Sequence, residues 1–197
     1  MPKISAPTVA EHRVRQRDAL LQAAIDLLVQ AGVSAVTPAA VSAAAGLSRP
    51  SFYQYFPSGA GILAAVIEDA FPRANAALRD ALGSASGPAE ELDTYVRVSL
   101  RLASEGAHRP AAALSAAQLP EECRARLREL HQEQAEPFMR ALRDLGAPDL
   151  ELTAQLLGGV LEVAMGAIES GASLTTVTER TLTLVHAAVG IPAATVN

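Results

Sequence analysis

The stretch from Thr37 to Phe56 reads T-P-A-A-V-S-A-A-A-G-L-S-R-P-S-F-Y-Q-Y-F, and it constrains the fold more than any other segment. It encodes two short helices joined by a tight turn. Thr37 is placed to cap the first helix, with Pro38 at its first position, where a missing N–H costs nothing. Gly46 supplies the backbone freedom that ends that helix. Ser48 caps a second helix, with Pro50 tolerated in its first turn. Phe52 and Phe56 are four residues apart, so they share one face and can pin that helix to a core. Arg49, Pro50, Ser51, Tyr53 and Gln54 then point elsewhere. A helix held from behind and showing Arg, Tyr and Gln in front is shaped for a DNA major groove. The same corner also occurs as a purely structural element, so its surroundings decide between the two.

Charge is distributed unevenly along the chain. Up to Phe56 there are five basic residues (Lys3, Arg13, Arg15, Arg17, Arg49) against three acidic ones, a net of +2. The remainder holds 11 basic and 18 acidic residues, a net of −7, within an overall charge of −5. A basic head on an acidic body attracts phosphate locally, because the field of a charge reaches only about 8 Å at physiological salt.

Ahead of the corner, Thr8-Val9-Ala10-Glu11 fits a capping box, with Thr8 as N-cap and Glu11 reaching back. Val14, Leu21, Ala24, Ile25 and Leu28 follow at helical spacing until Gly32. This third helix can close a small core behind the corner and carry Arg13 toward a DNA backbone.

From about Arg13 to Glu68 the chain resembles the DNA-binding domain of the TetR family of transcriptional regulators. The signature lies between Ala31 and Ser58, and its most specific portion is Gly46-Leu47-Ser48 followed by Phe52-Tyr53-x-Tyr55-Phe56. The resemblance implies that Thr37 contacts a phosphate and that Arg49, Pro50 and Ser51 meet base edges. It implies that Tyr53, Gln54 and Tyr55 contact backbone or bases, while Phe52 and Phe56 are internal. The chemistry agrees: Arg suits guanine, Pro can rest on a thymine methyl, and tyrosine hydroxyls can reach phosphate oxygens. One position departs. Where the family usually has Lys after F-P-S, this chain has Gly59, so a weaker salt dependence of DNA binding is expected.

The rest of the chain reads as helix. Over the full sequence half of the residues are hydrophobic, only 4% are aromatic, and Trp is absent. No segment alternates with period two, so an all-α fold of about nine helices is expected. The reading divides it into a helix-turn-helix domain over 8–58 (motif 37–56) and a ligand-binding and dimerisation domain over 59–190. Helices are expected over 61–82, 89–104, 110–118, 120–145 with a kink at Pro137, 148–170 and 174–189.

Leu150 to Ile168 is apolar nearly all round, yet Glu151, Gln155 and Glu162 interrupt it, so it is expected to be a buried helix and not a membrane span. One of its sides can face its own domain while the other needs a partner. Residues 150–170 and 174–189 are therefore read as a homodimer interface, a four-helix bundle across a two-fold axis. Such a dimer offers two reading helices to a palindromic double-stranded operator.

Polar residues interrupting apolar stripes mark a candidate small-molecule site. Asn75, Ser99, Gln134 and Glu162 are read as orienting contacts, within walls of Phe71, Tyr95, Phe138, Met139 and Met165. The assembly of these residues around one cavity is what the family resemblance implies. Each polar residue could equally sit at the edge of its stripe.

The four histidines have no metal-ligand spacing, and neither a nucleophile elbow nor a phosphate loop is present, so no catalytic residue, metal or cofactor is expected. The single Cys123 lies on an apolar stripe and is read as an inert buried thiol. With no signal-peptide pattern, a cytoplasmic setting is expected. The sequence thus points to a ligand-released repressor, against the alternative of an all-α small-molecule-binding protein or enzyme whose corner is structural.

Overall fold

The computed structural model describes residues 6–191. Among them all regular structure is helical: α1 (Ala6–Ala31), a 3-10 turn (Val33–Ala35), α2 (Pro38–Ala44), α3 (Arg49–Phe52), α4 (Gly59–Leu82) and α5 (Pro88–Ser104). There follow α6 (Arg109–Ser115), α7 (Glu121–Asp144), α8 (Leu150–Glu169) and α9 (Leu174–Ala188). The all-α class and the number of helices are as expected.

The chain forms two compact units, and neither is continuous in sequence. One holds the residues up to Ala70 together with Arg109–Arg128; the other holds Phe71–His108 and the residues from Glu129 onward. The first unit thus runs past residue 58 to Ala70 and takes in α6 and the start of α7. α6 packs on α1, and Leu114, Leu119, Cys123 and Leu127 join the buried residues of the first unit. Arg126 further clasps Glu68 through two hydrogen bonds of 2.5 and 3.2 Å.

The first unit is built on capped helices. Thr37 has extended backbone angles and its Oγ1 accepts from the Ala40 N–H at 3.2 Å. At the end of α2, Gly46 adopts φ +67°. The Leu47 N–H then reaches back to the Ser42 carbonyl and that of Gly46 to Ala43, at 2.9 and 3.2 Å. This is a Schellman stop, which needs a residue with little penalty at positive φ. Ser48 Oγ accepts from the Ser51 N–H at 3.2 Å. Ser58 Oγ does the same for the Gly61 N–H at 3.0 Å, opening α4.

Two sequence expectations fail locally. α1 begins at Ala6, so Thr8 lies inside its first turn and is not the N-cap of a capping box. α3 is one turn long, Arg49–Phe52, where a helix to Phe56 was expected. Tyr53 to Tyr55 continue as tight turns, with the Gln54 N–H on the Ser51 carbonyl and the Tyr55 and Phe56 N–H groups both on Phe52.

In the second unit α5, α8 and α9 pack on one another. Leu92, Val96, Leu100, Leu142, Leu157, Leu161 and Val185 fill the centre, with Tyr95 and Phe138 stacked at a tilt, 5.1 Å between ring centroids. α7 runs unbroken through Pro137, and α4 likewise contains Pro72.

α8 departs from the buried helix that was expected. It is long and apolar enough to cross a membrane, but only 22% of its most apolar window is buried within the chain. Leu152, Leu156 and Val163 are 50%, 63% and 75% exposed, and Leu184 on α9 is 55% exposed. The cause is one-sided coverage: Leu157, Leu161, Ala164 and Ile168 face the core, and no other helix among the described residues covers the opposite side.

Candidate functional site

The turn that carries Arg49 is fixed from beneath. Phe52 and Phe56 are 0% and 4% exposed, with ring centroids 5.8 Å apart. Leu20, Ala24 and Leu28 of α1 and Val41 of α2 are buried in the same unit. The Arg17 guanidinium stands 5.5 Å from the centroid of the Phe56 ring, a cation–π distance.

Above this base the polar side chains face outward. Arg49, Pro50, Tyr53 and Gln54 are exposed, as are Thr37 and Arg13. Arg49 Nη2 donates to the Tyr53 hydroxyl at 3.4 Å, and its guanidinium lies 6.0 Å from that ring's centroid. The pair restricts the motion of a long side chain before any partner arrives, lowering the ordering cost of a base contact. Tyr53 itself meets Phe52 edge-on at 5.4 Å.

Two expected contact residues are occupied within the protein. Ser51 is half-buried and its hydroxyl shares a 2.8 Å hydrogen bond with Ser48. Tyr55 is half-buried and its hydroxyl donates to Gln16 Oε1 on α1 at 2.7 Å. Sequence reasoning missed Gln16 because nothing local marks a partner 39 residues away.

The expected ligand residues, all in the second unit, do not meet around one cavity. Phe71, Tyr95 and Phe138 are core residues. Phe71 meets the His131 ring edge-on at 4.8 Å, and burial pushes the Tyr95 hydroxyl up to about 12. Ser99, Met139 and Met165 are half-buried. Glu162 is exposed on α8 with no ion-pair partner among the described residues, so the expectation that it sits in a pocket is corrected. The sequence showed it interrupting an apolar helix, but not that this side of the helix lies at the surface.

Asn75 and Gln134 do come together. They line a groove of about 400 Å³ between α4 and α7, with Leu78, Arg79, Pro137 and Arg140. Asn75 is 8% exposed and its Oδ1 has no hydrogen-bond partner among the described residues. A second concavity, about 610 Å³ and almost wholly apolar, lies between α8 and α9 over Leu156, Val160, Val163, Val177 and Leu184.

Among the described residues no group of three or more His, Cys, Asp and Glu is placed to hold a metal ion. Cys123 is buried, and burial together with the Glu122 charge pushes its thiol above the usual range, which keeps it protonated and unreactive.

Residues 20–66 match the model of the bacterial regulatory proteins, tetR family. No curated protein matches the chain. Its fold is similar to that of a TetR-like transcriptional regulator from Rhodococcus sp. RHA1, with a TM-score of 0.76 and 21% identity over 86% of this chain and 93% of that one. A TetR-family regulator from Agrobacterium tumefaciens gives 0.74 and 18% over 89% and 98%. The transcriptional regulator FadR from Bacillus subtilis, in complex with stearoyl-CoA, gives 0.71 and 15% over 89% and 98%. The capped corner with its exposed Arg49 and Tyr53 thus lies within the stretch that matches the tetR family of bacterial regulatory proteins, on a chain with a TetR-like fold.

Proposed function

We propose that this protein is a ligand-released repressor that acts in the cytoplasm as a homodimer on a palindromic operator. The observation that carries the reading is the exposed Arg49–Tyr53 pair, fixed over two buried phenyl rings. Arg49 reads guanine, Pro50 and Gln54 flank it, and Tyr53, Thr37 and Arg13 meet phosphates. Ser51 and Tyr55 hold the reading turn in place.

The exposure of Leu152, Leu156, Val163 and Leu184 on α8 and α9 supports the dimer: they form an apolar face that a second copy covers. A two-fold pair sets its reading turns about 34–36 Å apart, the separation of adjacent major grooves. A small-molecule effector binds in the second unit and favours a state whose heads no longer fit the operator, by no more than its differential affinity for the two states. The stearoyl-CoA held by the structurally similar FadR supports an effector in this architecture.

The test is gel-shift binding to DNA upstream of the neighbouring gene. The intact protein is expected to shift it, and Arg49→Ala and Tyr53→Ala to weaken the shift at least about tenfold. Undiminished binding by both variants removes the assignment of the reading turn.

A further inference from the structure

We infer that the α4–α7 groove, resting on the regulator reading above, takes a small organic anion that carries an N–H or O–H donor a few bonds from its charge. Three observations lead there.

First, Asn75 Oδ1 is a buried acceptor with no donor among the described residues. An unmade hydrogen bond of that kind is costly to retain, and a ligand donor satisfies it. Second, Arg79 lines the same groove and has no carboxylate partner among the described residues. The groove's other guanidinium is occupied: Arg140 donates to Glu136 at 3.2 Å and to Glu91 at 3.4 Å. Arg79 is thus the cation left over for a ligand. Third, Asn75 and Arg79 are four residues apart on α4, one above the other on a single helix face. A molecule that satisfies both must hold its donor close to its charge. Leu78 and Pro137 supply apolar wall for its remaining carbon atoms, and a volume of about 400 Å³ suits a ligand at the small end of the usual range.

The site differs from the one the sequence suggested. Its aromatic walls, Phe71, Tyr95 and Phe138, are sealed in the core. Arg79, which supplies the charge recognition, interrupts no apolar stripe and gave no signal.

The test is calorimetric titration of the full chain with three probes. 3-Hydroxydecanoate carries anion, donor and apolar chain; decanoate lacks the donor; 1,3-decanediol lacks the anion. The hydroxy acid is expected to bind at least about tenfold more tightly than either of the others. Asn75→Leu removes its advantage over decanoate, and Arg79→Gln removes its advantage over the diol. Arg79 is exposed, so its replacement leaves the fold intact even if Asn75→Leu does not. Equal binding of the three probes, no binding of any, or a preference unchanged by both substitutions overturns the inference. Gel-shift binding to the upstream DNA is measured alongside. Absence of a hydroxy-acid preference in the intact protein, with DNA binding present, rejects this ligand class alone, whereas no DNA binding by the intact protein rejects the regulator reading beneath it.

Discussion

The Tyr55 hydroxyl donates a 2.7 Å hydrogen bond to Gln16 Oε1, joining the segment after the reading turn to the first helix. A phenol committed in this way sets the orientation of the turn and is not left over for a phosphate. Tyr55→Phe and Gln16→Leu are therefore expected to weaken operator binding by similar small factors, the equivalent of about 0.5–1.5 kcal/mol. The double variant should lose no more than either single one, because both remove the same bond. The salt slope of binding should stay unchanged. If Tyr55→Phe weakens binding well beyond Gln16→Leu, and the two losses add in the double variant, the hydroxyl contacts DNA after all.

Gly59 stands where a lysine would add a phosphate contact. A Cβ built there meets only Pro38 Cδ at 3.6 Å and the Val36 carbonyl at 3.7 Å, ordinary contact distances. Gly59→Lys should fold normally and steepen the dependence of log affinity on log salt by about 0.9 per added contact. Titration of binding against salt checks this, and an unchanged slope places the side chain away from the duplex.

Phe52 is completely buried beneath Arg49 and Tyr53. Phe52→Ala is expected to destabilise the first unit by about 3–5 kcal/mol, read by denaturant unfolding, and to abolish DNA binding with it. Stability within 1 kcal/mol of the intact protein, on the scale of ordinary surface changes, contradicts the anchoring role.

Val163 is 75% exposed in the single chain. Val163→Glu should therefore leave helicity and chain stability within about 0.5 kcal/mol, as for a surface position. It places a like-charged pair in the paired α8 face, so sedimentation should show the mass fall from dimer to monomer at micromolar concentration. A variant that stays dimeric places the interface elsewhere.

The parts of the fold visible in sequence were those governed by near neighbours. Thr37, Gly46 and Ser48 act on groups within five residues, so their roles could be read directly from the chain. Helix periodicity located every later helix within a few residues. What escaped depended on distant partners. Tyr55 looked like a DNA contact until its partner on α1 was in view. Arg126 and Cys123 gave no sign that the start of α7 belongs with the head, since Glu68 and Ala60 are some sixty positions away. The apolar residues of α8 revealed that it needs cover, but not how little of it this chain supplies. For the expected ligand site, interrupted apolar stripes singled out Asn75 and Gln134 along with Ser99 and Glu162, yet three rings expected beside them are core packing.

The reading turn contains a single turn of helix, Arg49–Phe52. A segment so short does not hold its shape in water on its own, because nucleating a helix costs more than one turn returns. A synthetic peptide copying residues 45–58 should accordingly be structureless and indifferent to base sequence. Recognition in this protein is borrowed rigidity, and it should vanish in the same melting step as the head's interior.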